Sequence, residues 1–282
     1  MVDVDTVVIG SGAGGLTAAL ALAQAGQKVL VCEQHYLPGG WCHSFPLDGY
    51  LFSPGVHYIG DLGEGKMMRS IYEGLGVADD LVFLQLNPEG YDRVRIGDRE
   101  FGIPAGKEAY REKLCAEFPH EREGITRVLD IIQSIQRAGD AMMRIRDARS
   151  GLKALKQTGP FLRWGMRSTA SMLDAHISDP RLKAILTIQS GNHGVAPSRS
   201  PAAMHAAILA HYFEGGYYPM GGGRSIPRAF LKGLRKHGGK IQVRAEVRRI
   251  MVDVESGRRR ARGVILAAVS YTHLRAHETV RN

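Results

Sequence analysis

The sequence predicts an α/β fold that is discontinuous along the chain, with an α+β region inserted between its two parts. Three observations predict it. A strand, a glycine-rich turn, a helix and a second strand follow one another without interruption over residues 4–33. A strand pair and then a series of helical patterns occupy the middle, up to residue 213. Strand patterns return after residue 238. The bulk properties agree with a folded chain. At about 100–200 residues per domain, 282 residues allow one large domain or two interleaved ones. A chain that is 44% hydrophobic and 23% charged is neither disordered nor fibrous.

Residues 4–9 (Val-Asp-Thr-Val-Val-Ile) read as a short buried strand. Gly10-Ser-Gly-Ala-Gly-Gly15 follows, then the strong helix formers Leu16 to Ala25, ended by Gly26. Lys28-Val-Leu-Val-Cys-Glu33 is a second strand closed by an acid. In this Rossmann-like unit Gly10 makes the tight turn, Gly12 admits a pyrophosphate and Gly15 lets helix and sheet pack closely. The helix N-terminus offers free N–H groups to phosphate. Glu33 stands 18 residues past Gly15, close to the ~20 at which an acid holds ribose hydroxyls. An adenine dinucleotide site is expected, and the acid disfavours a 2′-phosphate. A second glycine pair, Gly39-Gly40, suggests another close backbone approach to an extended cofactor.

These residues, and two later stretches, resemble the flavin-dependent phytoene desaturase, carotenoid isomerase and retinol saturase superfamily. Glu33 to Phe45, with Pro54-Gly-Val-His-Tyr-Ile-Gly60, looks most like the retinol saturase branch. His211 to Gly223 contains the family's Tyr-Pro-x-Gly-Gly turn, and Gly238 to Ile250 its adenine-pairing strand valine, Val247. The resemblance covers residues 4 to 267 and is loose between 85 and 190. It implies FAD. The cofactor-binding candidates are Gly10, Gly12, Ala13, Gly14, Gly15, Glu33, Gln34, Gly39, Gly40 and Val247. The flavin-lining candidates are His57, Tyr58, Tyr218, Gly221 and Gly222. It further implies an oxidoreductase acting on carbon–carbon double bonds of a hydrophobic polyene: a carotenoid, a retinoid or a similar polyisoprenoid. The flavin carries the hydride chemistry. Saturases, desaturases and isomerases share these motifs, which name no catalytic acid or base and no electron partner.

The resemblance divides the chain into an FAD-binding segment over 1–85, a substrate domain over 86–210 and a second FAD-binding segment over 211–268. Within the substrate domain, Tyr91–Ile103 reads as a hairpin turning at Gly97-Asp98. Helices are expected at 107–118, 121–147, 168–177, 180–189 and 201–213. In the second of these, Ile125, Val128, Leu129, Ile132, Ile135 and Met142 recur at helical spacing and form a core face. A second hairpin is expected from Val247–Val254 through Ser256-Gly257 into Ala261–Ala267. The fourteen residues 269–282 break the pattern; Ser270 to Thr279 resembles translated sequencing-adapter DNA. An artefactual tail on a C-terminally truncated chain is the expectation.

The formal charge is +9. Eight bases face two acids between Arg137 and Arg167, and ten face three between Arg235 and Arg262. A solvated face accounts for either patch. So does an anionic membrane surface for Met142–Leu173, which mixes its bases with Trp164 and other large apolar residues. No aromatic stacking platform or motif supports nucleic acid. No H-E-x-x-H or C-x-x-C pattern supports a metal site, and His193, His205 and His211 read as polar or satisfied core residues. No apolar run reaches the ~18 residues of a membrane span. The N-terminus lacks the basic region of a secretory signal, and Cys32, Cys42 and Cys115 form no disulfide framework. A cytoplasmic setting, peripheral to a membrane, is expected. Two other readings use the same fold. One is an amine-oxidase-like flavoenzyme. The other is a non-enzymatic prenyl-lipid carrier, against which the intact glycine and Glu33 set argues.

Overall fold

The computed structural model describes residues 4–143, 145–147, 151, 159, 161–255 and 257–267. The chain divides into two compact units. The first takes the described residues of 1–58, 64–84 and 218–282; the second takes those of 59–63 and 85–217. The division differs from the expected one because residues 59–63 and 211–217 group with the second unit. Ile59 and Tyr217 exchange backbone hydrogen bonds of 2.8 Å in both directions, and the Gly60 N–H donates to His211 Nε2 at 2.9 Å.

In the first unit, β1 (Thr6–Ile9) pairs in parallel with β2 (Val29–Cys32). Between them α1 (Ala13–Gln24) starts three residues before the expected Leu16. Gly12 is extended there, and its carbonyl accepts the Leu16 N–H at 2.9 Å. Gly26 (φ 86°) ends the helix region in a conformation that favours glycine. β3 (Phe45–Leu47) and β4 (Tyr50–Phe52) form a short hairpin. β4 stops at Phe52, two residues before Pro54, which cannot donate to a ladder. α2 (Met67–Gly74) and β5 (Phe83–Gln85) follow.

The second unit opens on the predicted hairpin, β6 (Asp92–Ile96) and β7 (Arg99–Ile103), joined through Gly97-Asp98. α3 (Lys107–Glu117) leads to α4 (Arg122–Met143). The expected α4 face is buried at Ile125, Val128, Leu129, Ile132 and Ile135, but Met142, in the last turn, is exposed. A Cβ on Gly124 would stand 2.1 Å from the His176 carbonyl oxygen, so the chain passes too close for a side chain there. A single π-turn over Phe161–Gly165 precedes α5 (Thr169–Asp174) and α6 (Pro180–Thr187). Ser168 and Asp179 cap these helices with their side chains, and Pro180 opens α6. α7 (Ala202–His211) packs against α4.

The chain then returns through β8 (Tyr217–Pro219) to α8 (Ser225–Lys236), a helix the sequence reading did not anticipate. It packs on α1, burying Ile226, Phe230, Leu231 and Leu234 on one side and Leu16, Leu20 and Ala23 on the other. Each large apolar side chain so buried contributes about 1.5–3 kcal/mol. β9 (Lys240–Gln242) adds in parallel to β2, giving the order β1–β2–β9. β10 (Val247–Glu255) and β11 (Arg258–Leu266) form the second predicted hairpin, with register shifts at two points. Among the described residues no helix is long and apolar enough to cross a membrane. Residues 269–282, and Arg144, Arg149, Lys153 and Lys156 of the middle basic patch, lie outside the described residues.

Candidate functional site

The glycine motifs converge in the first unit. Gly15 lies against the start of its own turn: a Cβ there would stand 2.1 Å from the Gly10 carbonyl oxygen. A Cβ on Gly10, Gly12 or Gly14 would meet nothing within 4 Å, so the backbone presents an open floor at the N-terminus of α1. Ala13 and Gly14 are exposed at that floor, and no side chain caps the helix. Gly40 comes over the same turn, where its Cβ would lie 2.9 Å from Gly12 Cα. Gly39 has φ 120° and packs on Pro227, in the first turn of α8.

Glu33 is only 7% exposed. One carboxylate oxygen accepts from the Ser11 N–H at 2.7 Å and the Ser11 hydroxyl at 2.6 Å; the other accepts from the His35 N–H at 2.8 Å. Burial pushes this carboxyl up, but the hydrogen bonds from Ser11 and His35 outweigh it and hold it below the usual glutamate range. Glu33 is thus an anion with about one acceptor site still open. Ser11 is itself fully buried and accepts the Gly39 N–H at 3.0 Å. It therefore links both glycine motifs to the acid, a role the sequence reading missed. Gln34 beside Glu33 is exposed.

A second network holds the glycine turn at 221–223. Ser44 and Ser53 lie 3.0 Å apart by their hydroxyl oxygens. Ser53 accepts the Gly223 N–H at 3.0 Å, and Ser44 accepts the Arg224 N–H at 3.2 Å. The Tyr218 hydroxyl lies 3.5 Å from the Ser53 hydroxyl, and Gly221 and Gly222 both have positive φ. α8 begins at this turn, again with no side-chain cap. Tyr218, Gly221 and Gly222 are thereby brought together, whereas His57 is exposed and Tyr58 half-buried on the stretch after β4. Val247 is half-buried and pairs with Leu266 at the base of the β10–β11 hairpin. Neither Ser44 nor Ser53 has a signal of its own in the sequence; each is a lone serine about 170–180 residues from its partner.

The expectation of satisfied histidines needs correcting at two positions in the second unit. His205 bonds the Leu186 carbonyl through Nε2 at 2.8 Å, but among the described residues its Nδ1 has no partner, and neither ring nitrogen of His193 has one. Only His211 is paired as expected, accepting from Gly60.

The geometry of the first unit fits a dinucleotide: an open glycine floor, two uncapped helix N-termini and a buried carboxylate with acceptor capacity to spare. The profile of the flavin containing amine oxidoreductases matches residues 13–277. The chain belongs to that family. Membership implies a flavin cofactor. The chain is 33% identical over 264 residues to the all-trans-retinol 13,14-reductase of Danio rerio, covering 89% of this chain and 43% of that protein. It is 25% identical over 267 residues to the chloroplastic prolycopene isomerase of Daucus carota, covering 89% and 42%. The chain thus spans less than half the length of these curated relatives, which fall in the branch its motifs resemble. A solved oxidoreductase from Methanosarcina mazei shares the fold, with a TM-score of 0.62 at 19% identity over 92% of this chain and 55% of that one.

Proposed function

We propose that this chain is the flavin-binding part of an FAD-dependent oxidoreductase acting on carbon–carbon double bonds of a retinoid, carotenoid or similar polyisoprenoid. The observation that carries the reading is the Ser11–Glu33 pair beneath the Gly10–Gly15 floor. FAD differs from FMN by its adenylate half, and this arrangement serves that half. The N-terminus of α1 suits the pyrophosphate, and Glu33 suits a ribose hydroxyl. Gly39, Gly40 and the 221–223 turn would bring further backbone N–H groups, with no side chains between, to the rest of the cofactor. When bound, the flavin supplies hydride exchange with the double bond. The similarity to a retinol reductase and a carotenoid isomerase supports a polyene over an amine, although amine oxidation uses the same family fold. In the same reading the apolar substrate is collected at an anionic membrane surface.

Titration of the purified chain with FAD and with FMN tests the cofactor assignment through flavin fluorescence. FAD binding at least roughly tenfold tighter than FMN is expected from one charge-assisted ribose contact. Equal affinity for the two would overturn it. Addition of all-trans-retinol to the flavin-loaded chain should then shift the flavin absorbance, which an alkyl amine should not.

A further inference from the structure

The π-turn at Phe161–Gly165 and the face of α4 beside it enclose a cavity of about 370 Å³ in the second unit. Its charged lining is Arg127, Arg163 and His176, with Trp164, Ile131 and Gly159 completing the wall. Among the described residues no carboxylate lines it. Trp164 is 5% exposed and forms the back of the site. The Arg163 and Arg167 guanidiniums lie 5.4 and 5.3 Å from its ring, and His176 meets it edge-on at 5.4 Å. These contacts hold the cations in place without neutralising them. His176 Nε2 is buried and has no hydrogen-bond partner among the described residues. The nearest acid bonded to this group is Glu123, 3.6 Å from Arg127, in a pair exposed on both sides and so worth little.

Two guanidiniums and an unpartnered ring nitrogen around one cavity lack an oxyanion. Burial, with Arg127 and Arg163 nearby, holds His176 below its ordinary value, so the cavity already carries the positive charge of both arginines. Its rim adds a second feature. Leu162 and Met166 flank Arg163 and are 74% and 81% exposed. A large apolar pair held out to solvent between cations matches a lipid surface, with the side chains entering the acyl boundary and the cations at headgroup depth. Nucleic acid would supply phosphate but nothing for Leu162 and Met166.

We propose that the Arg127–Arg163–His176 cavity binds the phosphate of an anionic phospholipid headgroup, with Leu162 and Met166 inserted beside it. This deepens the peripheral-docking part of the functional reading and rests on it, but not on the flavin assignment.

The test uses the full chain with Trp41→Phe, which leaves Trp164 as its one tryptophan. Sedimentation is measured with vesicles of phosphatidylcholine alone and with added phosphatidic acid. Inorganic phosphate is titrated separately while Trp164 emission is followed. Binding to the anionic vesicles, lost as salt rises, and a Trp164 response to phosphate are expected. Arg127→Gln with Arg163→Gln should abolish the phosphate response and cut vesicle binding roughly tenfold or more. Leu162→Ser with Met166→Ser should weaken vesicle binding and leave the phosphate response intact. All four side chains are exposed at their tips, so thermal melts should stay near wild type; Arg163→Gln alone serves if the arginine double variant melts early. Unchanged vesicle binding in the arginine variant would overturn the site. A phosphate response without vesicle binding would overturn the lipid source and with it the docking reading. FAD affinity, read in the same samples, should not change, which separates these failures from a failure of the flavin assignment.

Discussion

Replacing Glu33 separates its structural work from its ligand work. In Glu33→Ala, the Ser11 N–H loses its acceptor in a residue that is fully buried, and the Ser11 hydroxyl loses its own. A buried donor left unpaired costs about 1–3 kcal/mol. His35 is exposed, so water replaces its contact cheaply. The expected loss of stability is therefore about 2–4 kcal/mol. In Glu33→Gln the amide oxygen can keep both Ser11 contacts while the NH₂ faces the solvated His35 side, so the loss should be about 1 kcal/mol. The ribose contact loses its charge in both variants, which predicts FAD binding weakened by about 1.5–3 kcal/mol, or roughly ten- to a hundredfold. Urea unfolding of the flavin-free chain gives the first quantity and FAD titration the second. The charge also predicts a pH signature. Glu33 titrates below its ordinary value of 4.5 in the folded chain, so its stabilisation is present above that pH and is lost as pH falls through the depressed value. Glu33→Gln should remove that component. A Glu33→Ala chain with the wild-type urea midpoint and wild-type FAD affinity would refute the account.

Ser11→Ala removes the hydroxyl bridging Glu33 and Gly39 and should cost about 1–2 kcal/mol in a urea melt, with weaker FAD binding; a neutral effect would exclude the bridge. Gly15→Ala places a Cβ 2.1 Å from the Gly10 carbonyl oxygen, so the turn must open; loss of FAD binding and at least about 1–3 kcal/mol of stability are expected in a urea melt, against little change in the stability of the flavin-free chain for Gly14→Ala, whose Cβ meets open space. Burial lowers the values of His205 and His211 from 6.5, so the unfolded chain takes up their protons first and stability should fall as pH drops below about 6.5. Urea midpoints followed between pH 8 and pH 5 should show a shallower pH dependence in His205→Gln and His211→Gln; identical slopes would rule these groups out.

The features legible in the amino-acid order are local ones. β1, α1 and β2 are legible because their glycine turn closes over five residues and their parallel pairing spans about twenty, within one βαβ unit. The β6–β7 and β10–β11 hairpins are legible for the same reason: each turn and its strands are adjacent in the chain. The inward face of α4 follows from its spacing, except at Met142, which is exposed in the last turn. In the candidate site, glycines and an acid at motif spacing marked the floor and Glu33.

Contacts between residues far apart along the chain depend on packing in three dimensions. α8 packs on α1 some two hundred residues away, and a Cβ on Gly233 would stand 3.2 Å from the Leu20 side chain at their crossing, a fit that neither helix states alone. β9 joins β2 because the β2 edge has unpaired backbone groups, not because Lys-Ile-Gln announces a partner. Ser11, Ser44 and Ser53 became parts of the site only when the fold set buried N–H groups and a carboxylate within reach of their hydroxyls. A serine's composition and spacing carry no record of that. Periodicity encodes which face of an element is apolar, while partners and register across long separations are settled by packing.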